Sequence, residues 1–305
     1  AFSFGGRYED DSAFGGHFTP RAYLVWNTND NWTLKGGVST GYKVPTANDL
    51  HDGINGFTAQ GKSVSLGNPD LKPEKTTNYE IGFVYDDLTN FSLTTTAFFT
   101  EFKDLIISGA KTYENCLWES RPTGSTPASD CMTVGNFSYQ ENFSFQGNAD
   151  EAESYGVELS AKYDISPNFN VKANYTWLES EITKGENKGQ TIENTPRHAV
   201  NLTSTWYVND QFTTWLEAEY KSKRTRFTDP TANTDTIREA EITGNELKAY
   251  ELFNLGASYK VNNQITLSGR INNLFDKDFG DYQTFTNTKG ETVNAFLYTK
   301  TTSGL

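Results

Sequence analysis

Long apolar runs are missing from this chain. No stretch of its 305 residues approaches the roughly 18–20 apolar positions that a membrane-spanning helix needs, so spanning helices are excluded. Methionine occurs once, histidine three times and cysteine twice, proline is held to 9, and apolar residues reach only 35%. A soluble core of this size ordinarily draws on far more Leu, Ile and Met. An excess of positive charge is missing too: 26 Lys and Arg stand against 39 Asp and Glu, for a net charge of −13. Nucleic acid is therefore not an expected partner, because neutralising phosphates needs a basic face. Aromatic residues, by contrast, make up 14% of the chain, which disordered sequences do not show. Mean hydropathy is −0.64. Two classes remain, a soluble all-β protein and a membrane β-barrel, whose alternating strands never look apolar on a running average.

Alternation with a period of two is the dominant pattern. Phe169, Val171, Ala173, Tyr175 and Trp177 share one face of a strand, and Asn168, Asn170, Lys172, Asn174 and Thr176 take the other. Tyr155, Val157, Leu159, Ala161 and Tyr163 repeat the pattern, as do Ile265, Leu267, Gly269 and Ile271. Each such segment has one apolar and one wet face. No segment carries a helical stripe. Eleven strands are expected, over residues 2–9, 18–28, 32–43, 77–86, 91–107, 152–164, 168–182, 196–208, 211–227, 247–261 and 264–275. Several exceed the usual soluble length of about 5–6 residues and suit the longer strands of a membrane barrel.

The connections sharpen the choice. Short turns at residues 29–31, 87–90, 165–167, 209–210 and 262–263 are rich in Asn, Asp or Pro. Between them lie long polar segments at 44–76, 108–151, 183–195 and 228–246. Tight turns on one rim and long loops on the other are the asymmetry of an outer-membrane barrel. Tyr85, Tyr163, Trp206, Tyr207 and Tyr259 sit beside the short turns, where a ring of Tyr and Trp would lie at headgroup level. Bacterial single-chain barrels close with even strand numbers, and the chain runs out in the loop-like Thr302-Ser303-Gly304-Leu305. The expected fold is therefore all-β, a transmembrane antiparallel β-barrel of which residues 1–305 are a part, with the last strand outside it.

Cys116 and Cys131 lie in a polar loop. An even count there points to a disulfide and an oxidising compartment, against the alternative of two unpaired surface thiols. Closing a loop of about 15 residues contributes about 3 kcal/mol on the chain-entropy account.

Several motifs carry a family likeness. Thr19-Pro20-Arg21-Ala22-Tyr23, followed by the run from Trp32 through Gly41-Tyr42-Lys43-Val44-Pro45, resembles mid-barrel strands of TonB-dependent outer-membrane receptors. Gly67-Asn68-Pro69-Asp70-Leu71-Lys72-Pro73-Glu74, running into Tyr79-Glu80-Ile81-Gly82, is similar to that family's most recognisable barrel motif. Ile271-Asn272-Asn273-Leu274-Phe275-Asp276-Lys277-Asp278-Phe279 resembles its penultimate-strand signature. Their bare physical role is modest: Pro69 and Pro73 stiffen a loop approaching a strand, and Asn272-Asn273 ends one. The resemblance implies a barrel of about 22 strands with a plugged lumen in the bacterial outer membrane. It further implies uptake of a scarce ligand, mostly an iron–siderophore complex, with energy relayed by TonB. The strand detail and the cysteine pair look closest to ferric-catecholate receptors of the enterobactin type. The whole of 1–305 reads as part of the C-terminal half of the barrel domain, and the plug with its TonB contact is expected outside it.

A ferric tris-catecholate is an aromatic trianion, so its site needs cations and aromatic faces at the outward rim. Lys221, Lys223, Arg224 and Arg226, with Tyr220 and Phe227 interleaved, form the best basic cluster of an otherwise acidic chain. Alternation puts Lys221 and Lys223 with Glu217 and Glu219, and Arg224 with Arg226 on the other face, unless the pattern relaxes beyond the membrane. The alternative for this cluster is a basic rim against lipid or lipopolysaccharide phosphates. The second candidate is the cysteine loop with Tyr113, Trp118, Arg121, Phe137, Tyr139 and Phe143, which either meets ligand or packs as a small satellite core. Catalysis and a resident cofactor are not expected. His17, His51 and His198 show no metal-ligand spacing, His198 reads as structural at a strand start, and no nucleophile elbow, Walker loop or dinucleotide fingerprint occurs. The competing functions are uptake of haem, cobalamin or another metal chelate, and a passive porin.

Overall fold

The computed structural model of the chain describes residues 1–58, 63–185, 187–227, 240–241, 243–286 and 289–298. Most of the long segment expected at 228–246, and the terminal Thr302-Ser303-Gly304-Leu305, lie outside the described residues. The strands are β1 (Phe2–Asp11), β2 (Gly15–Asn27), β3 (Trp32–Lys43), β4 (Ile54–Thr58), β5 (Ser63–Leu66), β6 (Glu74–Asp86), β7 (Phe91–Glu114), β8 (Asn142–Ser166) and β9 (Phe169–Lys184). They continue with β10 (His198–Tyr207), β11 (Phe212–Lys221), β12 (Arg224–Thr225), β13 (Glu246–Leu247), β14 (Tyr250–Lys260), β15 (Thr266–Ile271), β16 (Gly280–Thr286) and β17 (Thr292–Tyr298).

One antiparallel path runs β1-β2-β3-β6-β7-β8-β9-β10-β11-β14-β15, with sequential strands side by side, and its members match the eleven strands expected from alternation. The sheet is open, as befits part of a barrel. Register turns the alternation of single strands into two continuous faces. Leu34 pairs with Phe83, then Thr95, Leu159, Tyr175, Val200 and Tyr220 follow across successive strands. On the other face Lys162 pairs with Lys172, then Thr203, Glu217 and Asn254 follow. Cross-strand partners point to the same side, so one face is apolar and the other polar over the whole width. Arg270 and Glu217 pair on the polar face at 2.5 Å, reaching across β14. Gly156 lies on that face because Phe98 crosses it: a Cβ there would come within 2.9 Å of the ring and 2.2 Å of the Trp177 carbonyl.

Four of the five inner turns are Asx turns, and at the fifth, between β8 and β9, the Ser166 hydroxyl donates to Asn168 Oδ1. Asn29 Oδ1 accepts the amides of Asn31 and Trp32, Asn209 Oδ1 those of Gln211 and Phe212, and Asn262 Oδ1 those of Gln264 and Ile265. Asp87 accepts three, from Thr89, Asn90 and Phe91, each at 2.9 Å. Just outward of these turns, rings follow one another along the apolar face: Trp32 to Tyr85 at 4.8 Å, Tyr85 to Phe91 at 6.2 Å and Phe91 to Tyr163 at 6.1 Å. Register adds Trp206 and Tyr259 to that face. Tyr207, one residue on from Trp206, points to the polar side.

The outer rim departs from the sequence expectation. Strands expected to stop at 107 and to begin at 152 instead continue, β7 to Glu114 and β8 from Asn142, because each keeps the other as backbone partner beyond the membrane belt. The segment at 44–76 is not plain loop either. It holds the hairpin β4–β5, and β5 pairs parallel with the outward end of β8, Ser63 with Asn142 through Leu66 with Phe145. The strand expected over 211–227 ends at Lys221, after which β12 leaves the sheet to pair with β13. The first outer connection, residues 12–14, is short, closed by the Asp11 carboxylate on the amides of Ala13 and Phe14. Beyond β15, the hairpin β16–β17 lies where no strand was expected.

Candidate functional site at the outer rim

Two sets of side chains stand at the outward end, one on each side of β9 and β10. The basic set begins where β11 ends. Lys221 is in register with Tyr250, and both lie on the polar face with Glu219. The Tyr250 hydroxyl donates to Glu219 Oε1 at 2.5 Å, and Lys221 Nζ lies 3.6 Å from the same oxygen. Ser222 then ties the strand end to the start of β10: its amide donates to the His198 carbonyl and its hydroxyl accepts the His198 amide. The His198 ring meets the Tyr175 hydroxyl at 2.9 Å through Nδ1, so this histidine is engaged at a strand start, as expected.

With the ladder ended, strict alternation no longer governs Arg224. Its guanidinium is carried over the Tyr250 ring, 5.9 Å from the centroid, and donates to Asn194 Oδ1 at 2.8 Å. Arg224 is buried, 5% exposed, between the 185–197 connection and β14. Arg226 lies 5.0 Å from the centre of the Phe227 ring and donates to Thr243. Lys223 stays at the surface against Glu246 at 2.6 Å. Lys221, Arg224, Tyr250 and Glu219 therefore converge at the outer end of the polar face, while Lys223 and Arg226 turn to the loop that follows. Tyr250, 2% exposed, and Arg224 are buried against each other, so of this set Lys221 is the cation within reach of an anion at the face.

The aromatic set belongs to residues 113–145. Cys116 and Cys131 are joined in a disulfide with a Cα–Cα distance of 5.1 Å. Phe143 is fully buried with Val64 and Leu66 of β5, and Met132, Val134, Phe137 and Phe145 pack around them. Tyr113 lies edge-on to Phe145 at 5.9 Å. Arg121 is turned inward: Nε donates to Glu114 Oε1 at 2.7 Å, Nη2 donates to the Asn115 carbonyl at 2.9 Å, and the guanidinium lies 5.9 Å from the Trp118 ring. The Glu114 carboxyl is held below the usual range, first by the Ala128 amide and then by Arg121. Of the expected ligand aromatics, Tyr113, Trp118, Phe137 and Phe143 are thus occupied in packing, and Tyr139 stands out at 79% exposure.

Asn115 was invisible as a site residue in the sequence. It is 1% exposed, its Nδ2 donates to the carbonyls of Gln140 and Phe137, and its Oδ1 accepts the Leu117 amide. One Asn beside a cysteine is no signal, because its partners come from the far end of the loop. His51, with Asp49 and Asp52 nearby, holds no cation arrangement: Asp49 is spent on the Thr46 hydroxyl and amide, which lower its carboxyl. Among the described residues no group of three or more His, Cys, Asp or Glu could hold a metal ion.

Comparison with known proteins agrees with this architecture. Residues 1–274 match the family model described as TonB dependent receptor-like, beta-barrel. The iron-regulated outer membrane virulence protein of Vibrio cholerae (El Tor Inaba) is 30% identical over 276 residues, covering 90% of this chain and 38% of that protein. The vitamin B12 transporter BtuB of Photobacterium profundum is 29% identical over 280 residues, covering 92% of this chain and 37% of its own. In fold, the ferric enterobactin receptor of Pseudomonas aeruginosa, solved as a mutant with enterobactin, superposes with a TM-score of 0.68 at 20% identity, over 90% of this chain and 38% of that one. The chain thus spans well under half the length of the relatives it matches. With its two-faced antiparallel sheet, its unequal rims and a family match over nearly all of its strands, the chain belongs to the β-barrel family of TonB-dependent receptors of the bacterial outer membrane.

Proposed function

We propose that the chain forms a wall and outer vestibule of a receptor that takes up a ferric siderophore, energised through TonB by way of a plug outside these residues. The observation that carries this reading is the exposed set at the outer rim: Lys221 part-exposed at the outer end of the polar face above the buried Arg224–Tyr250 pair, Lys223 exposed just beyond it, and Tyr139 exposed on the disulfide loop. A ferric tris-catecholate presents aromatic rings and negative charge together, the combination such a wall recognises without any covalent step. The iron regulation in the name of the Vibrio relative supports the same ligand class. The apolar face meets lipid, and the iron complex is cargo rather than a resident cofactor.

The test uses the complete receptor in detergent and follows quenching of its intrinsic fluorescence on titration with a ferric catecholate. Replacing Lys221 and Lys223 with Gln, which leaves the buried Arg224 in place, is expected to weaken binding at least tenfold, about 1.4 kcal/mol. Unchanged affinity at physiological salt removes both lysines from the site and with them the observation that carries this reading. Cobalamin is the second reading, favoured by the likeness to a B12 transporter over 92% of the chain. Tight binding of cyanocobalamin with no response to the ferric catecholate would replace the first reading with it.

A further inference from the structure

Residues 67–74 resemble a family motif, and the vestibule described above leaves them without a task. The structure gives them one. Lys72 offers its backbone to a single side chain: its amide donates to Asn148 Oδ1 and its carbonyl accepts from Asn148 Nδ2, both at 2.8 Å. The same Nδ2 donates to the Asp104 carbonyl at 2.7 Å. Asp104 has a φ of 56°, a left-handed backbone that Asp tolerates better than most residues, in the part of β7 where the ladder leaves the membrane belt. Asn68 Nδ2 donates to the Gln146 carbonyl at 3.0 Å, and Glu74 Oε1 accepts the Ile106 amide at 2.9 Å. Leu71 is 2% exposed. Gly67 sits so close to the His51 carbonyl that a Cβ would lie 2.1 Å from it.

We infer that residues 44–58 and 63–73 and the disulfide loop at 115–141 move as one body, with Asn148 as the catch that fastens residues 68–74 to the outward β7–β8 ladder. The two meet directly in the core of Val64, Leu66 and Phe143, against which Met132, Val134 and Phe137 pack, and where Phe57 lies edge-on to Phe137 at 6.1 Å; the parallel pairing of β5 with β8 and the Asn148 catch fasten residues 63–74 to the β7–β8 ladder from which the disulfide loop springs. Met132, packed against that core, follows directly on the disulfide-bonded Cys131. A perturbation at either loop is then felt at the other, and coupling between two parts of one molecule is reciprocal. The inference does not depend on which ligand the receptor takes.

Hydrogen exchange on the complete receptor in detergent tests it. Asn148→Ala leaves the Lys72 amide and two carbonyls without their partner and is expected to speed exchange about tenfold in β4–β5 and also, through the shared core, in residues 115–141. Reducing Cys116–Cys131 is expected to act in the opposite direction, speeding exchange at Val64 and Leu66. Asn148→Asp, which keeps the acceptor for the Lys72 amide and loses both donors, is expected to fall between wild type and Ala. The amides of the inner turns serve as the reference and stay unchanged throughout. An effect of either change confined to its own loop overturns the coupling. Asn148→Asp indistinguishable from wild type, or equal acceleration at the inner turns, overturns the role of Asn148.

Discussion

The two rims of this sheet solve the same problem, closing a hairpin, by opposite means. On the inner rim the turns are closed mainly by their own side chains. Asn209, Asn262 and Asp87 accept amides from residues two to four positions ahead, and the distant bonds are single links to the adjacent strand, as from Asn31 Nδ2 to the Asp86 carbonyl at 2.7 Å. On the outer rim the partners are far apart in sequence: Ser63 to Asn142 spans 79 residues, Asn68 to Gln146 spans 78 and Asn148 to Lys72 spans 76. A loop built on such contacts cannot hold its shape alone, because its backbone groups need a second loop before they are satisfied. The inner turns are therefore closed largely one by one, and the outer loops above β5–β8 are one assembly, from which the short outer turn closed by Asp11 stands apart.

That contrast predicts unequal responses to substitution. The largest is expected at Phe143, fully buried where β5, β8 and the disulfide loop meet. Phe143→Ala is expected to cost about 3–5 kcal/mol of outer-layer stability, as truncating a buried Phe ordinarily does. Limited proteolysis of the complete receptor would show it as cleavage within both 44–73 and 115–141, with the strands below intact. Cleavage in one loop alone would break the picture of a single assembly.

The next effect concerns Arg121, read from the sequence as a ligand cation and found turned inward to Glu114 and the Asn115 carbonyl. Its side chain is only 13% exposed. Arg121→Ala strips a charged partner from Glu114 and is expected to destabilise the loop by about 1–3 kcal/mol. Arg121→Lys recovers only part of this, because an ammonium cannot serve Glu114 and a carbonyl in the forked geometry of a guanidinium. Thermal release of the loop, followed by a reporter dye on Tyr139→Cys in the oxidised receptor, would measure both.

How much of this was legible beforehand follows the same division. The apolar faces of Tyr155 through Tyr163 and of Phe169 through Trp177 are written as alternation, and the structure joins them into one surface by register. The Asx turns were legible because Asn and Asp at a hairpin end act on their own neighbours. Arg121, Trp118 and Phe143 were not, since a cation or ring in a polar loop reads as exposed until the loop that covers it is known. Val64 and Leu66 carried no signal within their loop, being two apolar residues among Ser and Gly. Arg224 is the intermediate case: its charge was conspicuous, but its place over Tyr250 depends on the ladder stopping at Lys221.

A smaller effect is expected at the inner rim. Asn262→Ala removes the acceptor for the amides of Gln264 and Ile265, both exposed and able to turn to water. The expected cost is about 1 kcal/mol, confined to the β14–β15 hairpin. Exchange at Ile265 would rise while exchange at Leu216, on the neighbouring strand β11, stays as before. A change that spreads to β11 would show that the inner turns are not independent after all.

Acid separates the two rims without any substitution. Asp87 on the inner rim has its carboxyl lowered from 3.8 to about 2, first by the Phe91 and Thr89 amides, and Glu114 on the outer rim is lowered from 4.5 by the Ala128 amide and Arg121. A carboxyl held low in the folded protein contributes its stability in full above its ordinary pKa and loses it as pH falls through the lowered value. Neither contact should respond between pH 7 and 5. Below about pH 4 the Asp87 contribution declines, about half of it gone near pH 3 and most of it by the lowered value of about 2, and the protection lost is that of Thr89, Asn90 and Phe91 alone. Protonating Glu114 releases Ala128 and Arg121 together, so the loss there reaches residues 14 and 7 positions away. Amide exchange read residue by residue down to pH 3 tells local from assembled closure, and a spread from Asp87 into the strands beyond its own turn would contradict the division between the rims.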